Sequence, residues 1–142
     1  MAQQMSHDEY RRFLTEQART GKLATVSADG RPHVVPIWFV LDGETIVFTM
    51  GRASAKAKHI ARDPRVALCV DDETPPFAFV LIEGTAETTL NPPDMLAWTT
   101  RIGGHYMGAD LADAYGRRNA DFDELLVRVT PAKIIATKGV AD

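Results

Sequence analysis

The sequence predicts a mainly β protein with flanking helices, in which about six antiparallel strands form a closed or half-closed barrel. Short runs with strand character outnumber helical periods along the 142 residues, which is the length of one domain. Two connections between these runs, Asp29-Gly30 and Asp42-Gly43, are dipeptides that favour tight hairpin turns. Hairpins argue against a doubly wound parallel sheet, and closure of the sheet removes exposed edges.

The first predicted element is a helix over His7–Ala18, within an N-terminal segment 1–20. Ser6 is its expected N-cap, and Glu9, three residues later, completes a capping box. The period then changes, and the segment 22–90 is expected to supply most of the barrel strands. The first strands are predicted over Leu23–Ser27, His33–Leu41 and Thr45–Met50. The two hairpin turns would join them into an antiparallel meander.

A short helix over 54–62 is predicted to interrupt the strands and to stop at Asp63-Pro64. Strands at Arg65–Val70 and Phe79–Thr89 follow it, and Gly84 is expected to mark a bulge in the second of them.

The segment 91–119 is predicted to be a helical insertion, with Asn91 as cap and Pro92 at the first helical position. The first helix is expected to loosen at Gly103-Gly104, and a second helical piece is expected near Asp110–Arg117. The segment 124–138 then supplies the final strands, which are predicted at Leu125–Thr130 and Ile134–Thr137.

Composition excludes several classes of protein. The net charge of -3 argues against general nucleic-acid binding, which depends on phosphate neutralisation. Cys69 is the only cysteine, so no intrachain disulfide can form. Its apolar neighbours predict that it is buried. The four histidines are scattered without metal-ligand spacing, so no metal site is expected. The N-terminus does not resemble a secretory signal, and no apolar run matches a membrane span, so a cytoplasmic location without a membrane partner is expected.

The most informative segment for chemistry is basic and surrounds the start of the second predicted helix. A Gly51-containing turn precedes this helix, Ser54 is its expected cap, and Lys56 adds a positive charge. The N-terminus of a helix favours an anion, so this segment is a candidate site for a phosphate monoester. A capped surface helix with a solvated basic face explains the same local pattern equally well. The basic residues are Arg52, Lys56, Lys58, Arg62 and Arg65.

Several segments, taken in order, resemble the flavin-binding split-barrel superfamily of the pyridoxamine 5'-phosphate oxidases, and most of all its deazaflavin-dependent actinobacterial members. They are Leu23-Ala24-Thr25-Val26, Asp29-Gly30-Arg31-Pro32, Val34-Val35-Pro36-Ile37-Trp38-Phe39, Ser54-x-Lys56, Ile60 and Asp63-Pro64-Arg65-Val66. The resemblance runs from about Leu23 to Ile135. It implies an FMN-binding type of split barrel and a homodimer with the cofactor in a groove between subunits.

The resemblance also implies roles by position. The strand of Val35, Pro36, Ile37 and Trp38 would lie along the flavin or deazaflavin ring. Thr49, Met50 and Arg52 would line the ribityl chain and phosphate, and Ser54 and Lys56 would hold the phosphate. Lys58 and Arg62 would attract the acidic tail of a deazaflavin. The Phe77–Val80 region of the partner subunit and the Trp98–Tyr106 helix would wall the groove, which makes Trp98, His105 and Tyr106 the substrate-pocket candidates.

Three functions fit these observations. The first is an oxidoreductase that uses reduced coenzyme F-420 to transfer hydride to a small unsaturated organic substrate, with no catalytic acid or base assigned. The second is an FMN-dependent oxidase of the pyridoxamine-phosphate type, although the final strands offer Arg128, Lys133 and Lys138 without the Trp that such members pair with an Arg. The third is a non-catalytic protein that binds flavin, deazaflavin or haem.

Overall fold

The computed structural model, which describes residues 1–142, contains eight β-strands and four α-helices. The strands are β1 (Gln3–Gln4), β2 (Gly21–Val26), β3 (Pro32–Ile37), β4 (Val40–Asp42), β5 (Thr45–Gly51), β6 (Arg65–Asp72), β7 (Ala78–Leu90) and β8 (Glu124–Lys138). The helices are α1 (His7–Thr15), α2 (Ala55–Arg62), α3 (Met95–Met107) and α4 (Ala112–Asn119), with a turn of 3-10 helix at Ala109–Leu111.

All strands belong to one antiparallel sheet with the order β3-β2-β6-β7-β8-β5-β4, and β1 pairs with β8. β3 and β4 follow each other in the chain but form opposite edges of this sheet. Only Trp38 and Phe39 separate them, so the sheet must curl until its edges approach each other at that corner. The result is an open, curled sheet of the split-barrel kind, whose two edges are joined at this corner and form no hydrogen-bonded ladder with each other.

The inside of the curled sheet holds a cluster of 22 buried hydrophobic residues, which include Tyr10, Phe13 and Leu14 of α1. The strict alternation of burial along β2 shows that one face of the strand supplies this core. A second cluster of five buried residues joins α3 to the outer side of the sheet near β4, β5 and β8. Cys69 lies outside both clusters and is half-buried rather than fully buried, which corrects the sequence prediction.

Local signals in the sequence are confirmed by the structure. Ser6 and Glu9 form the capping box of α1, and Ser54 caps α2. Both predicted hairpin turns form, between β2 and β3 and between β4 and β5. The register between β7 and β8 shifts between Glu83 and Gly84, and a Cβ at Gly84 would lie 2.5 Å from the Thr130 carbonyl oxygen. The glycine is therefore required by the close approach of two strands at the bulge.

The predicted strand His33–Leu41 and the three-stranded meander are wrong. The chain leaves the ladder at Trp38 and Phe39, so the two hairpins lie at opposite edges of the sheet. The reason is the hydrogen bond that the Phe39 backbone N–H donates to the Tyr106 hydroxyl, over 3.1 Å. This contact takes the donor away from the ladder and holds the corner.

Three further boundaries differ from the predictions. Asn91 is not a helix cap but has a left-handed backbone with φ of 46°, and α3 begins at Met95. α3 also continues through Gly103 and Gly104 to Met107, because these glycines allow close packing; a Cβ at Gly103 would lie 2.8 Å from the Tyr115 Cβ. α1 ends at Thr15 rather than at Ala18.

The seven strand segments named from the sequence, a total predicted as about six, become eight strands in the structure for identifiable reasons. The predicted second strand is split into β3 and β4, and a two-residue strand, β1, pairs with β8. The two final strands are one continuous strand, β8, that passes through Pro131. Pro131 pairs with Gly84 at the bulge, where the ladder is already irregular and a missing N–H costs little. Among the helices of the structure, none is long and apolar enough to cross a membrane.

Candidate functional site

A cleft of about 460 Å³ opens at the corner where β3 leaves the sheet. β3, β5, α2, α3, the end of α4 and the start of β8 all contribute to it. The lining residues are Thr20, Pro36, Ile37, Trp38, Thr49, Met50, Gly51, Lys56, Ile102, Asn119 and Glu124. Segments that are distant in sequence therefore meet here, and a cleft with apolar and polar parts is typical of a small-molecule site.

One part of the cleft is apolar and is held in place by aromatic stacking. Pro36, Ile37 and Trp38 lie at the end of edge strand β3, and α3 adds Ile102. The Trp38 ring lies parallel to the Tyr106 ring, with a centroid distance of 5.1 Å and an interplanar angle of 2°. Trp38 therefore has a defined orientation and contributes a large apolar side chain to the lining of the cleft.

Tyr106 anchors this arrangement through its hydroxyl. The hydroxyl donates to the Arg19 carbonyl oxygen over 2.8 Å and accepts from the Phe39 N–H over 3.1 Å. Burial raises the pKa of Tyr106 to about 12, although the Phe39 hydrogen bond acts in the opposite direction. The hydroxyl thus stays protonated at neutral pH, with its donor and acceptor both engaged.

The other part of the cleft is polar and lies at the N-terminus of α2. Lys56 is half-buried in the first turn of this helix and lines the cleft beside Thr49 of β5. The Ser54 hydroxyl accepts from the Ala57 N–H over 3.2 Å, which satisfies one backbone donor of the helix start. The remaining first-turn donors have no acceptor within an α-helix, so this end of the cleft favours an anion.

Glu124 adds a carboxyl group to the same polar end. It begins β8, pairs with Gly51 of β5, and is half-buried in the cleft. Burial raises the pKa of Glu124, hydrogen bonding by Thr49 lowers it, Asp121 raises it and Lys56 lowers it, with a net shift upward. A carboxyl group near a cation and with a raised pKa is a feature of ligand sites.

The structure brings most of the predicted cofactor-binding residues together. Pro36, Ile37, Trp38, Thr49, Met50 and Lys56 all line the cleft. Val35 instead packs against the main core, and the Ser54 hydroxyl acts as the helix cap. Arg52 is exposed and lies 4.0 Å from a carboxylate oxygen of Asp123, and Lys58 is exposed outside the cleft.

Arg62, which was expected to face an acidic ligand tail, has a different environment. Its guanidinium donates to the carbonyl oxygens of Val26, over 2.9 Å, and Ser27, over 2.5 Å. These contacts satisfy the end of β2 beside the first hairpin turn, so Arg62 has a structural partner within the chain.

The three substrate-pocket candidates do not line the cleft in this chain. The Tyr106 ring stacks on the Trp38 ring without lining the cleft itself. His105 lies edge-on to Tyr106 with a centroid distance of 4.9 Å. His105 borders a separate cavity of about 310 Å³ between α1, β4 and α3. The Trp98 indole N–H donates to a carboxylate oxygen of Asp94 over 3.0 Å.

The sequence did not indicate four residues of the cleft: Thr20, Ile102, Asn119 and Glu124. Gly51, which also lines the cleft, was noted only as part of the turn before α2. The others reach the cleft only through the strand register and the packing of α3 and α4, which a single sequence does not reveal.

The curled antiparallel sheet and a cleft with an apolar wall and a cationic end are the features of a split-barrel protein with a small-molecule site. The chain belongs to the family described as "Pyridoxamine 5'-phosphate oxidase", whose sequence profile matches residues 6–138. This confirms the resemblance noted in the sequence.

Two curated relatives of this chain are named for different reactions. A 5a,11a-dehydrotetracycline/5a,11a-dehydrooxytetracycline reductase of Streptomyces rimosus subsp. rimosus is 45% identical over 76 residues, which is 47% of this chain and 53% of that protein. A pyridoxine/pyridoxamine 5'-phosphate oxidase of Pseudomonas entomophila is 35% identical over 133 residues, 88% of this chain and 59% of that protein. The matches thus span just over half the length of these curated relatives.

Among solved structures, a protein described as an F420 reductase superposes with a TM-score of 0.73 at 28% identity. The superposition covers 87% of this chain and 94% of the other. The family and these relatives together place the chain among flavin-type oxidoreductase-like proteins.

Proposed function

We propose that this protein is an oxidoreductase that uses reduced deazaflavin coenzyme F-420 to transfer hydride to a small unsaturated organic substrate. The observation that carries the proposal is the cleft itself, in which the apolar residues Pro36, Ile37 and Trp38 line the same cavity as Lys56 at the cationic start of α2. A deazaflavin has the matching parts, which are a planar ring system and a phosphate joined by a ribityl chain.

The residues of the cleft fit such a ligand. The apolar wall suits the ring, Thr49 and Asn119 offer hydrogen bonds to hydroxyl groups, and Lys56 with the free first-turn N–H groups of α2 suits the phosphate. When bound, the cofactor supplies the hydride, and the chain binds it, orients it and excludes water from one face. No side chain of the cleft is assigned as a proton donor to the substrate.

The relatives support the reductase direction. The F420 reductase structure is named for the coenzyme proposed here, and the dehydrotetracycline reductase is named for the reduction of an organic substrate. The second name also describes a substrate with an additional unsaturation, which agrees with the substrate class proposed here. We further propose that the protein acts in the cytoplasm as a homodimer, in which the partner subunit covers the open side of the cleft.

FMN-dependent oxidation is the second candidate, and the pyridoxine/pyridoxamine 5'-phosphate oxidase relative favours it. The contacts of β8 weigh against oxidation of a pyridoxamine phosphate. The Arg128 guanidinium donates to a carboxylate oxygen of Asp42 over 2.8 Å, and the Lys138 ammonium is bound to Glu9. Both basic residues thus have partners in the chain, and neither lines the cleft. A non-catalytic protein that binds a flavin, deazaflavin or haem is the third candidate.

The test is a comparison of cofactors with the purified protein. Parallel fluorescence titrations with coenzyme F-420 and FMN are expected to show tighter binding of coenzyme F-420. Equal or tighter binding of FMN would favour the second candidate. Tight binding without turnover on a panel of conjugated enones would favour the third, and binding of neither cofactor would reject the proposal.

A further inference from the structure

Glu124 is a carboxyl group in a cleft that otherwise suits an anion. Its side chain is half-buried and lines the same end of the cleft as Lys56. The strand register fixes it there, because Glu124 pairs with Gly51 and a Cβ added at Gly51 would lie 3.7 Å from the Glu124 carboxylate oxygen. Neither Glu124 nor Lys56 forms an ion pair within 4.0 Å, whereas nine such contacts exist elsewhere.

We propose that Glu124 makes ligand binding proton-linked: its carboxyl group takes up a proton when a phosphate occupies the Lys56 end of the cleft. This inference rests on the proposed function, which places a phosphate-bearing cofactor in the cleft. A protonated carboxyl group removes the repulsion between two anions and gains an O–H donor that the phosphate can accept. An ionised Glu124 would instead compete with the phosphate for Lys56.

The surroundings of Glu124 favour such a proton uptake. Burial is the largest influence on its pKa and raises it, and the charge of Asp121 raises it further. Lys56 is the one cation among the residues that line the cleft, and its effect on the pKa is smaller than that of burial. A bound phosphate would add a second negative charge and raise the pKa again.

Few other charged or titratable groups lie near Glu124. Asp123 precedes it in the chain and lies 4.0 Å from the Arg52 guanidinium, so these two opposite charges offset each other. α4 contributes the neutral Asn119 to the cleft, and β5 contributes Thr49, Met50 and Gly51. The remaining lining residues carry no titratable group: Thr20, Pro36, Ile37, Trp38 and Ile102.

The experiment measures the affinity for coenzyme F-420, or for FMN if it binds more tightly, in the parent protein and in Glu124→Gln from pH 5.5 to 8.5. The parent is expected to lose affinity as pH rises, and calorimetry in buffers of different ionisation enthalpy is expected to show proton uptake. Glu124→Gln keeps the shape of the side chain and removes the charge. It is expected to bind about tenfold more tightly than the parent at high pH and to take up fewer protons.

Two further variants sharpen the test. Glu87→Gln removes an exposed carboxylate of β7 outside the cleft and is expected to leave the affinity and its pH dependence unchanged. Asp121→Asn removes a charge that raises the pKa of Glu124, so the fall in affinity is expected to shift to lower pH. This variant keeps the test decisive if melting curves show that Glu124→Gln does not fold. The phosphate of FMN titrates near pH 6 in every variant, so only differences between variants count.

Three outcomes are distinguishable. Identical pH dependence and proton uptake in the parent and Glu124→Gln would overturn the inference while leaving the proposed function intact. Weaker binding by Glu124→Gln at every pH would show that the ionised carboxylate favours the ligand, and would also overturn it. Failure of both cofactors to bind the parent protein would instead reject the proposed function.

Discussion

Replacement of Lys56 by alanine is expected to weaken cofactor binding by roughly ten- to a hundredfold without unfolding the protein. Lys56 is half-buried in the first turn of α2 and lines the cleft, so its ammonium is placed to donate to a phosphate. A hydrogen bond to a charged group contributes about 1.5–3 kcal/mol, and about 1.4 kcal/mol corresponds to one decade in affinity. Alanine is the best helix former, so α2 itself is not weakened.

Lys58→Ala is the matched control for this experiment. Lys58 lies two residues further along the same helix and is therefore turned by about 200°. It is exposed and does not line the cleft, so solvent and salt screen its charge. Its removal is expected to change the affinity by less than about twofold, as is usual for an exposed charge.

The assay is a fluorescence titration of coenzyme F-420 into the parent and both variants, with a melting curve for each. Small and equal effects of the two substitutions would show that the basic face of α2 is only solvated, and would refute the assignment of the phosphate end. A large effect of both, with normal melting curves, would refute the argument from helix geometry and place the ligand along the outer face of α2.

Two other substitutions test the fold, and a sedimentation measurement tests the assembly. Tyr106→Phe removes the hydroxyl that joins Arg19 to Phe39, so we expect denaturant unfolding to show a loss of about 1–3 kcal/mol; an unchanged midpoint would contradict the role of this anchor. The hydrogen bond from Lys138, followed by that from the Ser6 N–H, lowers the pKa of Glu9 to about 2 from 4.5. The ionised form of Glu9 therefore stabilises the fold fully above pH 4.5. In urea titrations, Glu9→Gln is expected to be less stable than the parent at pH 7, and this difference is expected to shrink as pH falls from 4.5 to about 2. A difference in stability that persists at the lowest pH would contradict this linkage. Sedimentation at micromolar concentration is expected to show a homodimer, and a monomer would remove the partner subunit from the cleft.

Several structural features that depend on residues close together in the sequence were predicted correctly. Capping at Ser6 and Ser54 depends on residues within one helical turn, and the hairpin turns depend on a single dipeptide each. Lys56 belongs to the same class, because its position relative to the helix start is set by its distance from Ser54 along the chain. The roles of Pro36 and Trp38 beside a ring system were predicted through the family resemblance.

Features that depend on contacts between distant segments were missed. The break between β3 and β4 requires Tyr106, which is 67 residues from Phe39 in the sequence. Glu124 belongs to the cleft only because β8 pairs with β5 in one particular register. The predicted loosening of α3 at Gly103-Gly104 was wrong because the same glycines that weaken a helix also allow it to pack closely against α4.

The corner at Trp38 and Phe39 has a mechanical consequence. β3 and β4 are the two free edges of the sheet, and the backbone crosses from one to the other through these two residues alone. A ligand in the cleft would contact Pro36 on one edge strand and Thr49 on β5, the strand that pairs with the other edge. A bound ligand would thereby connect the two edges of the sheet. Separation of the edges would break its contacts, so binding of the ligand is expected to stabilise the arrangement in which the edges lie together.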